Sequence, residues 1–416
     1  SPDGCWYEGA WGYHFYTMSA IWPLLEAAHN CGIDLYCQEY KRMFDAPVEF
    51  SMPNLALPAF NDSGQQGVGG AIFELAYARY KDPLCLEVLE RSNRQNDMAL
   101  LFGEPNLPAA PKEDWRSANY PRSGYAILAN GKGEQATWLC MKYGPHGGGH
   151  SHPDKLNFVL YAKGQVIGYD PGTTRYGLPL QKEWHRTTLA HNTLTVDGQS
   201  QKPAEGKCLA FGTEKGVDYV MCNAGGIYDG VDFTRTVAML NQNLIVFIDQ
   251  IKSDKEHTFD LAYHERGAWA SRDGAKWSPD ETPGYMHLKD GLSWETDKGT
   301  ELACVLKQKD PTAGREQSVV IGLAGGEPTD VITATGVGSN VEDRVPVVIL
   351  RRRGKETTYI WCISLDGRPA KMERLPADGG AAVAVTAADG KKWTLLANPE
   401  KKPVAVKLPD GSTWKT

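Results

Sequence analysis

Asn106-Leu-Pro-Ala-Ala-Pro-Lys-Glu-Asp114 divides this chain into two kinds of sequence. Pro108 and Pro111 interrupt any regular period, and 106–118 is expected to be a linker. Upstream of it, residues 1–105 read as helical. Trp11 to Ala28 carries apolar residues at helical spacing and runs out near Asn30 and Gly32. Residues 34–46 suit a second helix that stops before Pro47. A loop rich in Pro and Asn spans Met52 to Ser63, and Gly69–Arg79 and Leu84–Leu101 read as further helices. Each has an apolar stripe that needs a partner, so helix-on-helix packing is expected.

Downstream, 119–416 changes to short β-prone runs, such as 124–129, 136–143, 156–162, 243–250 and 357–364. Turn signals separate them, among them Asp197-Gly198, Asp229-Gly230, Asp366-Gly367 and Asp389-Gly390. The expected class is α+β and multidomain: helices first, then a large antiparallel β-sheet or sandwich domain. The length of 416 residues also asks for more than one core.

Composition narrows the function. A net charge of −7 argues against a general nucleic-acid binder, although a local basic cleft can still hold a polyanion. Twelve Trp and eighteen Tyr suit sugar stacking and core packing equally, so they do not decide. Nine cysteines, an odd number without CxxC spacing, read mostly as small buried hydrophobes; the nearest pair is Cys31 and Cys37. No apolar run has the length of a membrane span. The chain opens abruptly at Ser1-Pro2-Asp3-Gly4, straight into an aromatic-rich motif. It is expected to be a piece of a longer secreted or periplasmic protein, with an export signal and more helices upstream.

The chemistry concentrates in His146-Gly-Gly-Gly-His150-Ser-His152-Pro-Asp154, which holds three of the ten histidines. The glycines leave the backbone open to close approach. His150 and His152 are two residues apart, which on a strand puts both imidazoles on one face, for a metal or for acid/base work. A hairpin returns Asp170 towards His152, and His191 opens a later β run. His152, Asp170 and His191 thus form a candidate N2O set for zinc, against a plain polar network between sheets.

A second run, Asp3-Gly-Cys-Trp-Tyr-Glu8-Gly-Ala-Trp11-Gly-Tyr13-His14-Phe-Tyr16, crowds aromatics around Glu8, Tyr13 and His14. It could line an aromatic cleft or simply cap and pack a helix. Asn61 and Asp62 sit in the inter-helix loop, where a substrate contact competes with N-capping. Tyr176 and Arg186 lie between Asp170 and His191, and Arg186 could meet a carboxylate or sulfate.

Taken together these motifs resemble the heparinase II/III-like polysaccharide lyases. The first run is similar to the end of that superfamily's helical toroid. His150-Ser-His152-Pro-Asp-Lys-Leu-Asn157, Asp170-Pro-Gly-Thr, Tyr176 and His191-Asn-Thr resemble the start of its β-domain. The resemblance implies an incomplete (α/α) toroid, of which this chain holds the C-terminal part, followed by the β-domain. It also implies cleavage of a uronate polysaccharide, heparin/heparan-type or alginate, by β-elimination between the two. In those terms Tyr13 is the catalytic tyrosine, with Tyr16 as competitor, and His150 the imidazole. His152, Asp170 and His191 hold zinc, favoured as structural. Glu8, Trp11, His14, Asn61, Asp62, Tyr176 and Arg186 are the expected substrate contacts. An upstream helical segment would complete the site. A non-catalytic carbohydrate-binding protein of the same fold and a zinc-dependent hydrolase are the rival readings; the second lacks an HExxH helix.

Overall fold

The computed structural model describes residues 1–111, 115–306, 317–401 and 404–415. Residues 112–114 of the expected linker lie outside the described residues. Among the described residues, the first part holds five α-helices, α1 (Trp11–Asn30), α2 (Gln38–Glu49), α3 (Ala71–Tyr80), α4 (Leu84–Glu90) and α5 (Asp97–Phe102), with a two-stranded pair, Ala56–Leu57 and Gln66–Gly67, between α2 and α3. All later strands are antiparallel, in a five-stranded sheet over 118–168, a twelve-stranded sheet over 194–364 and a five-stranded sheet over 371–415.

Two helix expectations change. α2 does not stop before Pro47 but runs through it to Glu49. A proline lacks the N–H that would bond the carbonyl four residues back. That carbonyl, Met43 O, accepts from His14 Nε2 instead, at 2.8 Å. The single helix expected over Leu84–Leu101 is two, because Asn96 caps a new start: its side chain accepts from Ala99 N at 3.0 Å.

Alternation along the strands builds the layers, since successive side chains point to opposite faces. In Tyr125–Asn130, Tyr125, Ile127 and Ala129 face Cys5, Trp11, Phe50 and Phe60 of the helical part. Ala126 and Leu128 face the large sheet. In Leu244–His264, Ile245 and Phe247 meet that same central core, while Leu244, Val246 and Ile248 meet Val383, Trp393 and Leu395 of the C-terminal sheet. The order is helices, small sheet, large sheet, C-terminal sheet. Most interior strands are therefore buried on both faces.

Two strands of 21 residues, Leu244–His264 and Arg344–Ser364, pair with each other and form the spine of the large sheet. Each changes its other neighbour midway. The first pairs with Val231–Asn241 and then with Leu194–Val196; the second pairs with Thr329–Val337 and then with Ser318–Ala324. The second half of Leu244–His264 thereby brings His264 and the 191–196 segment to the side where the helices end.

Candidate active site and metal cluster

Four connections meet at the helix–sheet boundary: 1–13, 58–63, 142–157 and 170–192. Their closeness demands glycine at two points. A side chain on Gly147 would stand 2.7 Å from the Glu8 carbonyl, and one on Gly172, where φ is +59°, would stand 2.2 Å from Ser63 O. Ser63 also starts α1, its Oγ accepting from Trp11 N at 2.9 Å, so one loop residue fixes both the helix bearing Tyr13 and the turn after Asp170.

Asp62 is the hub. Its side chain is fully buried and takes five donors. Oδ1 accepts from His152 Nε2 at 2.9 Å and Thr173 Oγ1 at 3.2 Å. Oδ2 accepts from Tyr176 Oη at 3.0 Å, His150 Nδ1 at 3.1 Å and Arg186 at 3.2 Å. Burial alone would push this carboxyl up; the His152 and His150 bonds and the Arg186 charge outweigh it and hold it down at about 2.

Around the hub, the Tyr13 ring stacks on His150 with centroids 3.6 Å apart, and its hydroxyl meets that of Tyr176 at 2.9 Å. His150 Nε2 points towards Glu8, 3.6 Å from Oε1, and Glu8 is anchored by Trp6 Nε1 at 2.8 Å. Arg186 also bonds Gly149 O and Ser151 O, so it ties down the histidine loop. Tyr16 is exposed and stands apart from this group.

Four expected substrate contacts are placed otherwise. Trp11 is buried among Cys5, Phe50 and Phe60. His14 is buried, accepts from Trp6 N and donates to Met43 O; burial takes it down to about 4. Asn61 is buried at φ 60°, bonding Gly9 O, His152 N and Lys142 Nζ. Asp62 is enclosed by its donors. All four hold the site's frame rather than face a ligand. Glu8, Tyr13, His150, Tyr176 and Arg186 keep exposed surface.

The expected metal set is rearranged in part. Asp154, Asp170 and His191 offer ligand atoms within 4.8 Å of one another. His152 is outside that group but adjacent, its ring centroid 5.3 Å from that of His191. Its Nε2 donates to Asp62, which leaves Nδ1 as a bare lone pair, buried and without a partner. His191 Nε2 meets a backbone carbonyl, His185 O, at 3.1 Å and must donate there. Its Nδ1 then presents to Asp170 Oδ2 at 3.2 Å, where a neutral ring would set lone pair against lone pair. A cation or a second proton resolves this; burial lowers His191, but Asp170 raises it more. His185 Nε2 and His264 Nε2 are also buried without partners, and burial takes those rings down to about 4 and about 3. Bare imidazole nitrogens beside two carboxylates are the donors zinc prefers.

Sequence reasoning missed the supports. Lys142 lies buried between Asn61 and Asp154, and Asn157 donates to Asp170 at 2.5 Å. Arg235, fully buried, pairs with Asp249 and donates at 2.6 Å to both Leu156 O and Asn192 O. It joins the sheet to both metal-side loops. Nothing local marks it, because its partners come from 79 and 43 residues away.

A family model described as Heparinase II/III-like, C-terminal, matches residues 112–350, and one described as Heparinase II/III N-terminus matches 1–75. An alginate lyase of Stenotrophomonas maltophilia is 29% identical over 349 residues, 69% of this chain and 45% of that protein. An exo-oligoalginate lyase of Saccharophagus degradans is 32% identical over 175 residues, 36% of this chain and 24% of that protein. A heparin-sulfate lyase of Pedobacter heparinus is 23% identical over 300 residues, 70% of this chain and 43% of that protein. The chain thus spans less than half the length of these relatives. A crystal structure of heparinase III shares the fold, with TM-score 0.74 at 18% identity over 95% of this chain and 60% of that one.

Proposed function

The chain belongs to the heparinase II/III-like family, and from that membership we propose that it supplies the cleft wall of a polysaccharide lyase acting on uronate-containing chains by β-elimination. The observation that carries this is the cluster of Tyr13, Tyr176 and His150 on the buried Asp62 carboxylate. β-Elimination must remove the C5 proton, α to the uronate carboxylate, and protonate the departing O4. Asp62 can only accept, so the proton it receives from His150 is the one on Nδ1, and Nε2 is left on the exposed side as the working nitrogen. Nε2 takes the C5 proton or, when protonated, neutralises the substrate carboxylate. Tyr176 gives its proton to Asp62, so the Tyr13 hydroxyl is the donor in the Tyr13–Tyr176 bond, and its proton turns to O4 when the leaving oxygen takes the place of Tyr176. Relatives named alginate lyase and heparin-sulfate lyase favour one of those two polymer classes.

Asp170, His191 and the bare Nδ1 of His152 would hold a divalent metal, zinc by donor type, with Asp154 beside them. Bound there, it would neutralise the carboxylate charge and pin the loops of 152, 170 and 191, a structural role. His152 would transmit that fixation through Asp62 to His150.

The exposed apolar side chains of α1, Tyr16 and Leu24, support packing against further helices of the same polypeptide, which would complete an (α/α) toroid over the 1–105 part. The 119–416 part is the β-domain of this scheme, and 106–118 the crossing between them. Action on an extracellular polymer would support a location outside the cytoplasm, secreted or periplasmic. Among the described residues, no helix is long and apolar enough to cross a membrane.

The test is product formation from alginate and heparan sulfate, read as ultraviolet absorbance of the new C4–C5 double bond. The wild-type protein should form it and Tyr13→Phe should not. Full activity of Tyr13→Phe would remove Tyr13 from the scheme. Cleavage without a double bond would replace the lyase by a hydrolase, and binding without cleavage by a carbohydrate-binding protein.

A further inference from the structure

Nine cysteines are free in this fold, and two of them face each other. Strand Lys207–Glu214 forms one end of the twelve-stranded sheet and pairs with Val217–Asn223, where Cys208 and Cys222 are direct cross-strand partners. Both side chains lie on the same face: Cys222 is in the central core and Cys208 packs against that core from its rim. Directly opposed residues on one face of an antiparallel pair have Cβ atoms about 4.5–5.5 Å apart. Cα atoms of such a pair are about 4.5–5.5 Å apart, inside the about 4.4–6.8 Å that a disulfide spans. The two thiols are within hydrogen-bond contact of each other. Cys208 also bonds Ala210 O at 3.5 Å and reaches the Asn119 side chain.

We propose that Cys208 and Cys222 are a redox modification site, closing to a cross-strand disulfide when a disulfide oxidant of the glutathione type is present. The register already sets the two residues opposite each other beside a bulge at Met221/Cys222, so closure asks only that their Cβ atoms draw in to the about 3.5–4.5 Å of a disulfide. The other cysteines lack this arrangement. Cys5, Cys85, Cys140, Cys304 and Cys362 are buried, and burial pushes their thiols up, which makes them poor nucleophiles. Cys31 and Cys37 are exposed at the end of α1 and the start of α2, outside any sheet pairing.

The two sulfurs have different parts. Cys208 is partly exposed, and the hydrogen bond from Cys222 lowers its thiol below the usual range despite the opposing effect of burial. Cys222 is enclosed, and burial pushes it well up. Cys208 therefore attacks first. Its thiolate displaces one thiolate from the oxidant, forming a mixed disulfide, and the proton it shed goes to that leaving group. Cys222 then gives up its proton, attacks Cys208 Sγ and expels the second thiolate, which takes up a proton. Two protein thiols are oxidised to one disulfide, and one oxidant disulfide is reduced to two thiols.

The site is not isolated from the cleft. Asn119 Oδ1 accepts from Tyr143 Oη at 2.7 Å, and Gly206 N donates to Tyr143 O at 3.0 Å. Tyr143 directly follows Lys142 and leads into the histidine loop. The disulfide would pin the end strand under that turn.

The full chain is equilibrated in glutathione buffers from reducing to oxidising, quenched by alkylation in denaturant, and mapped by mass spectrometry after digestion. The expected result is one cross-linked peptide pair joining Cys208 to Cys222, lighter by two hydrogens than the free thiols, with joint loss of alkylation at both. Cys222→Ser should instead accumulate glutathione on Cys208, and Cys208→Ser should leave Cys222 free. Two alkylated thiols across the whole range, or glutathione held on Cys208 in the wild-type protein without a cross-link, would overturn the proposal. Because the readout is covalent mapping, it stands apart from the result of the lyase assay.

Discussion

His150 and His152 grip opposite oxygens of one buried carboxylate, that of Asp62, at 3.1 and 2.9 Å. The ring assigned to proton transfer and the ring beside the metal cluster are thus oriented by the same group. Asp62→Asn keeps the shape but supplies one acceptor and one donor, so one imidazole must turn or change tautomer. The expected outcome is a kcat loss on the order of 10²-fold or more, the scale of general acid–base contributions. KM should change far less. Steady-state kinetics on the unsaturated product, with circular dichroism to confirm folding, checks it.

The same carboxyl makes stability depend on pH. Asp62 stands at about 2 in the folded chain, below the ordinary aspartate value of about 3.9. The sign follows from linkage: a depressed carboxylate contributes stability above its unfolded value and loses it as pH falls through the folded one. Urea midpoints should therefore separate wild type from Asp62→Asn above about pH 4, and the gap should shrink towards about pH 2. A gap constant across that window would show that Asp62 contributes through packing alone.

His152→Ala should lower metal content, measured by elemental analysis after dialysis, because it removes the unpartnered Nδ1. Asn157→Ala, which removes the donor to Asp170, should weaken affinity by roughly 10–100-fold. If the metal pins loops, chelation should lower Tm while leaving kcat measurable at low temperature. Prompt loss of kcat with unchanged Tm would assign the metal to the reaction instead.

Arg235 tests the link from sheet to site. Arg235→Ala leaves Asp249 buried without its partner and frees Leu156 O and Asn192 O. Breaking such a pair costs about 3–5 kcal/mol. Urea unfolding should show that loss, and Arg235→Ala with Asp249→Ala should recover part of it, since the stranded charge is gone.

Much of this was legible in the sequence, for physical reasons. Helical spacing and turn dipeptides placed α1, α3 and most strands, because local periodicity encodes which face is buried. The density of histidines pointed to the site. Burial was not legible: Trp11 and His14 lie in the same run as Tyr13, but only the fold shows which side of α1 faces the small sheet. Three consecutive charges, Arg351-Arg352-Arg353, carry no local mark of burial, yet they lie inside a long strand, with Arg351 clasping Asp260 and Arg352 buried. Lys142 and Arg235 escaped notice because Asn61 and Leu156, which they bond, are 81 and 79 residues away, while Asn157 stood in the quoted motif without a role.

The sharing of strands between cores limits where this chain can change length. Ala126 and Leu128 serve one interior while Ile127 and Ala129 serve another. A single deletion in such a strand would exchange the two sets beyond the lesion, setting small residues where large ones fit. Insertions and deletions should be accepted at hairpin tips such as Asp229-Gly230 and Asp389-Gly390 and rejected between them. Lengths between tips should thus drift less than residue identities among functional variants of this chain.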